Sequence, residues 1–333
     1  MKLLYAVKQD WYPRIFAENS VKRIGAATEV LDVPIPEEAD KRFLLENSKD
    51  AEIIITCWNT EPIDADVMAV APNLKLVVHA AGSVKPVVSD ALWDAGVRVV
   101  GCAEALAYGV AEFCLGLIIT APKRVFWGVQ GTREGKWRDG LEVFGGPFEI
   151  FGQKIGVIGA GNVGRVLMGL LKNLGCDVLI FDPYCTVERA KELGVTKVET
   201  LDELFAQCRV ISVNAPSTDE TKEMIRGRHF ALLQDGAVFI NTARSSIICE
   251  SEMIEELRKE RFIACLDVTD PEPAPENHPF RSMPNVLLTP HEAGAIAENR
   301  LRIGQFAANA LEEFVSGQPL RNEITRELLS RVG

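Results

Sequence analysis

Four histidines occur in the chain, at positions 79, 229, 278 and 291, and their surroundings separate one from the rest. His79 ends an apolar run, His229 lies in a helical segment and His278 lies in a Pro-rich loop, so these three read as structural. His291 follows Pro290 directly after the apolar run Val286 to Thr289. That places it just past the carboxyl end of a strand, where open α/β sheets bind ligands. Two further strand ends carry charge. Ile240-Asn241-Thr242-Ala243-Arg244 sets an arginine after one buried strand, and Leu266-Asp267-Val268-Thr269-Asp270-Pro271-Glu272 sets carboxylates after the next. An arginine, an acid and a histidine on consecutive sheet ends can converge on one point, which suits anion binding coupled to proton transfer.

A second constellation lies upstream. The strand Lys154 to Ile158 runs into Gly159-Ala160-Gly161-Asn162-Val163-Gly164, and a helical pattern follows. Gly159 permits the tight turn, Gly161 lets a pyrophosphate approach the backbone, and Gly164 lets the helix pack on the strand. Asp182 ends the next strand, 18 residues after Gly164, where its carboxylate can accept from ribose hydroxyls and repel a 2′-phosphate. Pro183-Tyr184-Cys185 supplies no cation for that phosphate, so the cofactor expected is NAD and not NADP.

The elements that must position these residues follow from the apolar pattern. Short β-rich runs at 3–7, 29–33, 52–56, 75–80 and 97–101 alternate with helical segments, as in a parallel sheet covered on both faces. After a long helical pattern from Ala103 to Ala121, a second alternating series predicts a doubly wound sheet of about seven strands. An amphipathic helix is predicted over Ala297 to Val315. The fold class is therefore α/β, with two doubly wound parallel-sheet domains, and a length of 333 residues suits two domains.

Composition excludes several functions. Lys and Arg number 36 against 47 Asp and Glu, a net charge of −11, and no basic run offsets it, so nucleic acid is not an expected partner. No membrane association is expected, because the longest mostly apolar stretch, Ala111 to Ala121, holds Glu112 and is too short to span. The N-terminal apolar run is too short for a signal-peptide core. Eight cysteines are scattered without metal-ligand spacing, so no metal is expected and a reducing, cytoplasmic setting is. Six aromatic residues, Phe126, Trp127, Trp137, Phe144, Phe148 and Phe151, crowd one stretch before the nucleotide-binding strand.

Taken together, YGVAEFCLGLII (108–119), VIGAGNVG (157–164), NTAR (241–244), LDVTDPEP (266–273) and TPHEAG (289–294) resemble the D-isomer-specific 2-hydroxyacid dehydrogenase family, which includes phosphoglycerate dehydrogenases and glyoxylate/hydroxypyruvate reductases. The resemblance covers about residues 3–322. It implies hydride transfer between a nicotinamide and a small 2-hydroxy or 2-oxo acid. In that setting Arg244 binds the substrate carboxylate and polarises the carbonyl, His291 exchanges the hydroxyl proton, and Glu272 orients the imidazole. It further implies cofactor contacts at Ala215, Pro216, Thr242 and Asp267, and a substrate-carboxylate loop at Ala81, Gly82 and Ser83. A Rossmann cofactor domain at 102–292 would be inserted in a flavodoxin-like substrate domain, 1–101 with 293–333. Hinges are expected near Gly101–Ala105 and Ala293–Ala297, with substrate in the cleft. The aromatic stretch then reads as a homodimer interface through the cofactor domain.

The chain also departs from the family pattern. Family members usually continue with an acidic or amide residue after the glycine of the carboxylate loop, whereas Ser83-Val84-Lys85-Pro86 follows here; Lys85 either brings a cation to the substrate or is simply solvated. Trp58 either borders the substrate or packs. Ser245 replaces the glycine usual after the arginine, and Glu292 follows His291 in place of an apolar residue. Formate dehydrogenase relatives carry glutamine at the position of Glu272, which disfavours that activity. About 18 residues follow the last helix, too few for a regulatory domain of the longer phosphoglycerate dehydrogenases. Two rival readings stand beside the dehydrogenase: an NAD(H)-sensing binding protein on the same fold, and a dehydrogenase of a non-carboxylate anion such as phosphite.

Overall fold

The β-branched runs form two all-parallel sheets in the computed structural model, which describes residues 1–137, 141–294 and 296–331. The chain divides into two units, Met1–Leu106 with Ala295–Gly333, and Ala107–Gly294. The first holds β1 (Lys2–Ala6), β2 (Glu29–Val30), β3 (Ile53–Thr56), β4 (Leu76–His79) and β5 (Arg98–Gly101). Their order is β2-β1-β3-β4-β5, the flavodoxin-like arrangement. Successive side chains feed opposite cores, as the period of two requires. Leu3, Tyr5, Ile53, Ile55, Leu76 and Val78 pack with Ile303, Ala307 and Leu311 of the helix Ala297–Val315. Leu4, Ile54, Val77 and Val99 fill the other side.

The second unit holds β6 (Lys154–Ile158), β7 (Asp177–Phe181), β8 (Thr196–Lys197), β9 (Val210–Val213), β10 (Val238–Asn241), β11 (Ile263–Leu266) and β12 (Val286–Leu288). The order is β12-β11-β10-β9-β6-β7-β8, a doubly wound sheet whose order reverses between β6 and β9. The two-domain parallel α/β class expected from the sequence is the class observed.

The structure differs from the sequence pattern at several places. The edge strands β2 and β8 are two residues each, shorter than their sequence runs suggested. Residues 103–106 form a 3-10 turn that belongs to the first unit. Arg302 donates to the Ala105 carbonyl at 3.1 Å and Asn299 to that of Leu106 at 3.4 Å, tying the turn to the C-terminal helix. Ala295, inside the second expected hinge, lies outside the described residues.

The segment Ala103–Thr120 is also longer and more apolar than the sequence reading allowed, with the length and composition of a membrane span over 18 residues. Glu112 does not interrupt it because that residue points outward, while Ala111, Cys114, Leu117 and Ile118 enter the core of the second unit. A core helix passes the same test of length and composition.

The aromatic stretch divides into two roles. Phe144, Phe148 and Trp127 pack against the core, with the Trp127 indole donating to the Pro284 carbonyl at 2.8 Å. The fully buried Arg124 donates to the carbonyls of Ala121, Val143, Phe144 and Gly236, which fixes the segment from beneath. Phe126, Trp137 and Phe151 are exposed. Residues 138–140 of this stretch lie outside the described residues.

Candidate functional site

Three neighbouring strands of the second unit end side by side and carry the charged residues. β10 pairs Asn241 with Leu266 of β11, and β11 pairs Leu266 with Leu288 of β12, so residues just past these positions emerge at one edge. After β10 the chain turns tightly. The buried Asn241 side chain donates to the Arg244 carbonyl at 2.9 Å and accepts from the Ala243 N–H at 3.0 Å. Nothing in the sequence pattern flagged Asn241, although an asparagine two residues before a turn residue is a turn signal in its own right. Arg244 is solvent-exposed as a residue, yet crowding around its guanidinium pulls its pKa below the ordinary arginine value, with Glu272 pulling the other way. No carboxylate is paired with that guanidinium among the described residues; its one side-chain bond runs to the Ala243 carbonyl at 2.6 Å.

His291 and Glu272 meet directly, with 2.7 Å between the imidazole Nδ1 and the carboxylate Oε2. The other oxygen of Glu272 accepts from the Thr269 N–H at 3.2 Å, which holds the carboxylate in its loop. With Nδ1 committed to an acceptor, Nε2 is the atom left to face a reactant. His291 has φ +52°, a left-handed conformation that costs a residue with a Cβ roughly 1–2 kcal/mol.

Asp267 supplies what holds that conformation. It is buried at the end of β11, and its Oδ1 accepts from Thr289 Oγ1 at 2.6 Å and from the Glu292 N–H at 2.9 Å. Its Oδ2 accepts from the Ala293 N–H at 2.9 Å. The carboxylate therefore clamps the loop on both sides of His291. A concave surface of about 460 Å³ adjoins the pair, lined by Asp267, Thr269, Glu272, Arg281 and His291. Glu292, the departure beside His291, is exposed and engages Asp267 through its backbone only.

The glycine loop sits at the point where the strand order reverses. Gly159 has φ +97°, and a Cβ there would lie 2.8 Å from the Ala215 nitrogen and the Asn214 oxygen, at the end of β9. A Cβ on Gly164 would lie 2.0 Å from the Gly159 carbonyl, so helix and loop pack backbone on backbone. Gly161 is the opposite case, with open space where a Cβ would project. It is the N-cap of the helix Asn162–Asn173 and offers no side chain to the first-turn N–H groups of Asn162, Val163 and Gly164. Asp182, just past β7, accepts from the Ala160 N–H at 2.7 Å and from the Tyr184 N–H at 2.7 Å. An open cradle of backbone donors with a carboxylate beside it fits the diphosphate and ribose of a dinucleotide. Ala215 and Thr242 are buried beside this loop and the arginine turn respectively, and the Pro216 carbonyl accepts from Thr221 Oγ1 at 2.7 Å.

The remaining expected residues lie in the first unit, at the carboxyl ends of its strands. Ala81, Gly82 and Ser83 follow β4, and Ser83 Oγ accepts from the Lys85 N–H at 3.3 Å. His79 ends β4, buried, with its Nδ1 2.9 Å from Thr56 Oγ1; burial pushes its pKa down to about 4, and a bond to the Ser83 backbone opposes that shift. Trp58 follows β3 and its ring lies 4.9 Å from that of Trp11. Among the described residues no three His, Cys, Asp or Glu side chains group as metal ligands would.

Comparison with known proteins bears on this geometry. Residues 115–293 match the family described as "D-isomer specific 2-hydroxyacid dehydrogenase, NAD binding domain". The chain is 29% identical over 297 residues to a D-3-phosphoglycerate dehydrogenase of Methanocaldococcus jannaschii, covering 89% of this chain and 56% of that protein. It is 28% identical over 327 residues to a glyoxylate reductase of Korarchaeum cryptofilum, covering 95% and 97%. It therefore spans about half the length of the phosphoglycerate dehydrogenases it matches and nearly all of the glyoxylate reductase. Among solved structures, an NAD+-bound 3-phosphoglycerate dehydrogenase of Entamoeba histolytica superposes with a TM-score of 0.73 at 25% identity, over 98% of this chain and 99% of that one.

Proposed function

The chain belongs to the D-isomer specific 2-hydroxyacid dehydrogenase family, with that family's NAD binding domain in its second unit, and from this premise we propose that it is an NAD-dependent 2-oxoacid reductase and D-2-hydroxyacid dehydrogenase. The observation that carries the proposal is the 2.7 Å contact between His291 Nδ1 and Glu272 Oε2, on a loop clamped by Asp267 beside the arginine turn. Bound NAD supplies the hydride donor and acceptor. In this reading Gly159, Gly161, Asn162, Val163 and Gly164 hold its diphosphate, Asp182 its adenosine ribose, and Ala215, Pro216 and Thr242 line its nicotinamide half.

Arg244 binds the carboxylate of the substrate and draws electron density from the adjacent carbonyl, a charge-assisted contact that a lysine could not copy in geometry. His291 gives the proton to that carbonyl oxygen from Nε2 in reduction and takes it back in oxidation, and such transfer contributes about 10²–10⁴-fold. Glu272 fixes the ring. Asp267 keeps the loop in place, and a contact to the nicotinamide amide would use its one remaining acceptor position. The first unit serves the substrate, with the backbone of Ala81, Gly82 and Ser83 holding its carboxylate.

The proposal extends to assembly and setting. Phe126, Trp137 and Phe151 give the second unit an exposed apolar surface that suits a homodimer through the cofactor unit. All eight cysteines are free thiols, consistent with the reducing cytoplasm. The test is a panel of initial rates with glyoxylate, hydroxypyruvate and longer 2-oxo acids, using NADH and NADPH. Turnover with at least one acid and a preference for NADH is expected. Tight NADH binding with no turnover on any acid would overturn the reading in favour of an NAD(H)-sensing protein.

A further inference from the structure

Glu272 can hold His291 only as firmly as its own loop is held. Beyond their neighbours in sequence, residues 270–281 make two side-chain hydrogen bonds to the rest of the second unit among the described residues: Glu272 with His291, and His278 with Glu250. The second of these involves a buried imidazole, with 3.0 Å between His278 Nε2 and Glu250 Oε1. The other ring nitrogen, Nδ1, lies 3.3 Å from the backbone nitrogen of Phe280, whose N–H can only donate. Nδ1 therefore keeps its lone pair, and the ring hydrogen sits on Nε2, aimed at Glu250.

Both ends of that bond are anchored. Glu250 opens the helix Glu250–Leu257, whose Met253 and Leu257 enter the core, and the preceding Cys249 N–H donates to the Ile225 carbonyl at 2.9 Å. Arg244 precedes Glu250 in the same segment, separated from it by the 3-10 turn Ser245–Ile247. On the other side, His278 caps the 3-10 turn Pro279–Arg281, whose Phe280 is buried in the core. Arg281 ends that turn and places two donors on one acceptor, Nη2 at 2.7 Å and Nε at 3.2 Å from the Ala274 carbonyl. Ala274 follows Pro273, the neighbour of Glu272. A continuous path thus runs from the helix after the Arg244 turn, through Glu250, His278 and Arg281, to the backbone beside Glu272.

We propose that Glu250, His278 and Arg281 are positioning residues that hold Glu272 in line with His291 and register this pair against the Arg244 turn. The Glu272 side chain is 38% exposed, and its one other bond is the 3.2 Å acceptance from the Thr269 N–H, so its aim depends on the backbone that carries it. Proton transfer tolerates little misplacement, and a loop relaxed by about 1 Å slows the reaction without altering cofactor affinity. Arg281 lines the concave surface beside the pair, yet two of its donors are committed to Ala274. The assignment deepens the dehydrogenase reading and rests on it for the reaction. It gives His278, structural by its sequence setting, a task in the site.

Kinetics of the intact protein with NADH and its best 2-oxo acid test the path. Glu250→Ala and Arg281→Ala are each expected to lower kcat about tenfold, with KM for the acid and NADH affinity within about threefold. Glu250→Gln keeps an oxygen for His278 and is expected to stay within about threefold of the parent. Because the path acts through Glu272, adding Glu250→Ala to Glu272→Ala is expected to cost less than about twofold further. A further loss of about tenfold in that background, parental kcat in both alanine variants, or a raised KM at unchanged kcat would overturn the assignment while leaving the reductase intact. Arg281 is solvent-exposed, so its variant is expected to fold even where Glu250→Ala does not. Should no acid turn over, the reductase reading fails, and the path is judged by nuclear magnetic resonance of histidine-labelled protein. The His291 Cε1–Hε1 cross-peak, identified by its absence in His291→Ala, is expected to move in both alanine variants and to hold its place in Glu250→Gln. A cross-peak unmoved in both alanine variants would overturn the path.

Discussion

Replacing Asp267 with asparagine removes one of two oxygens that hold the His291 loop, and the structure sets the scale of the result. The carboxylate accepts from Thr289 Oγ1 at 2.6 Å and from the N–H groups of Glu292 and Ala293, both at 2.9 Å. An asparagine of the same shape presents one oxygen and one NH₂, so at least one backbone N–H faces a donor. Leaving a buried donor unsatisfied costs about 1–3 kcal/mol, and the left-handed residue at 291 adds about 1–2 kcal/mol that the clamp no longer offsets. The sum is about 2–5 kcal/mol in favour of a relaxed loop. Because relaxation separates His291 from the reactant without disturbing the glycine loop, the loss falls on kcat, by about 10²-fold, while NADH affinity stays within about threefold. The assays are initial-rate NADH oxidation, NADH titration by fluorescence, and urea unfolding. An Asp267→Asn protein with kcat within threefold of the parent would refute the clamp. Loss of NADH binding in proportion to kcat would assign Asp267 to the cofactor instead.

Three further outcomes follow from the same structure. Gly161→Ala places a methyl group in open space, so the melting temperature is expected to hold while NADH affinity falls at least tenfold; Gly164→Ala meets the Gly159 carbonyl at 2.0 Å and is expected to unfold at lower urea by calorimetry or circular dichroism. His79 stays neutral in the folded protein down to about pH 4, whereas the unfolded chain protonates it below about 6.5. Its contribution to stability is therefore complete above pH 6.5 and is lost as pH falls from 6.5 towards 4, by about 3 kcal/mol; urea midpoints should drop over that window and drop less in His79→Gln. Trp137 and Phe151 are 73% and 70% exposed, so Trp137→Ser/Phe151→Ser is expected to shift sedimentation from dimer to monomer with little change in melting of the monomer.

Much of this fold is legible because parallel strands buried on both faces write continuous apolar runs, and each charged residue stands one to six positions past such a run. Gly159, Gly161 and Gly164 have separate steric surroundings, a near contact, an open space and a near contact in turn. Asp267 was harder. Its partners at 289, 292 and 293 are more than twenty residues away, joined through the pairing of β11 with β12. Only its place one residue past a buried strand hinted at that work. Asn241 escaped notice because its bonds are local and its side chain is buried, so it carried no charge signal. The Trp11 and Trp58 pair was invisible for a third reason, since it is made by two loops 47 positions apart in sequence that meet at the ends of adjacent strands. The edge strands β2 and β8 are shorter than their sequence runs suggested.

The central claim is that His291, held by Glu272, moves the proton that accompanies hydride transfer at the Arg244 turn. The most direct measurement is the steady-state rate of NADH oxidation with the best 2-oxo acid, followed by absorbance, for the parent protein and for His291→Ala at equal NADH saturation. A fall in kcat of about 10²–10⁴-fold with NADH binding preserved is the predicted result. A His291→Ala protein that turns over within about threefold of the parent would contradict it.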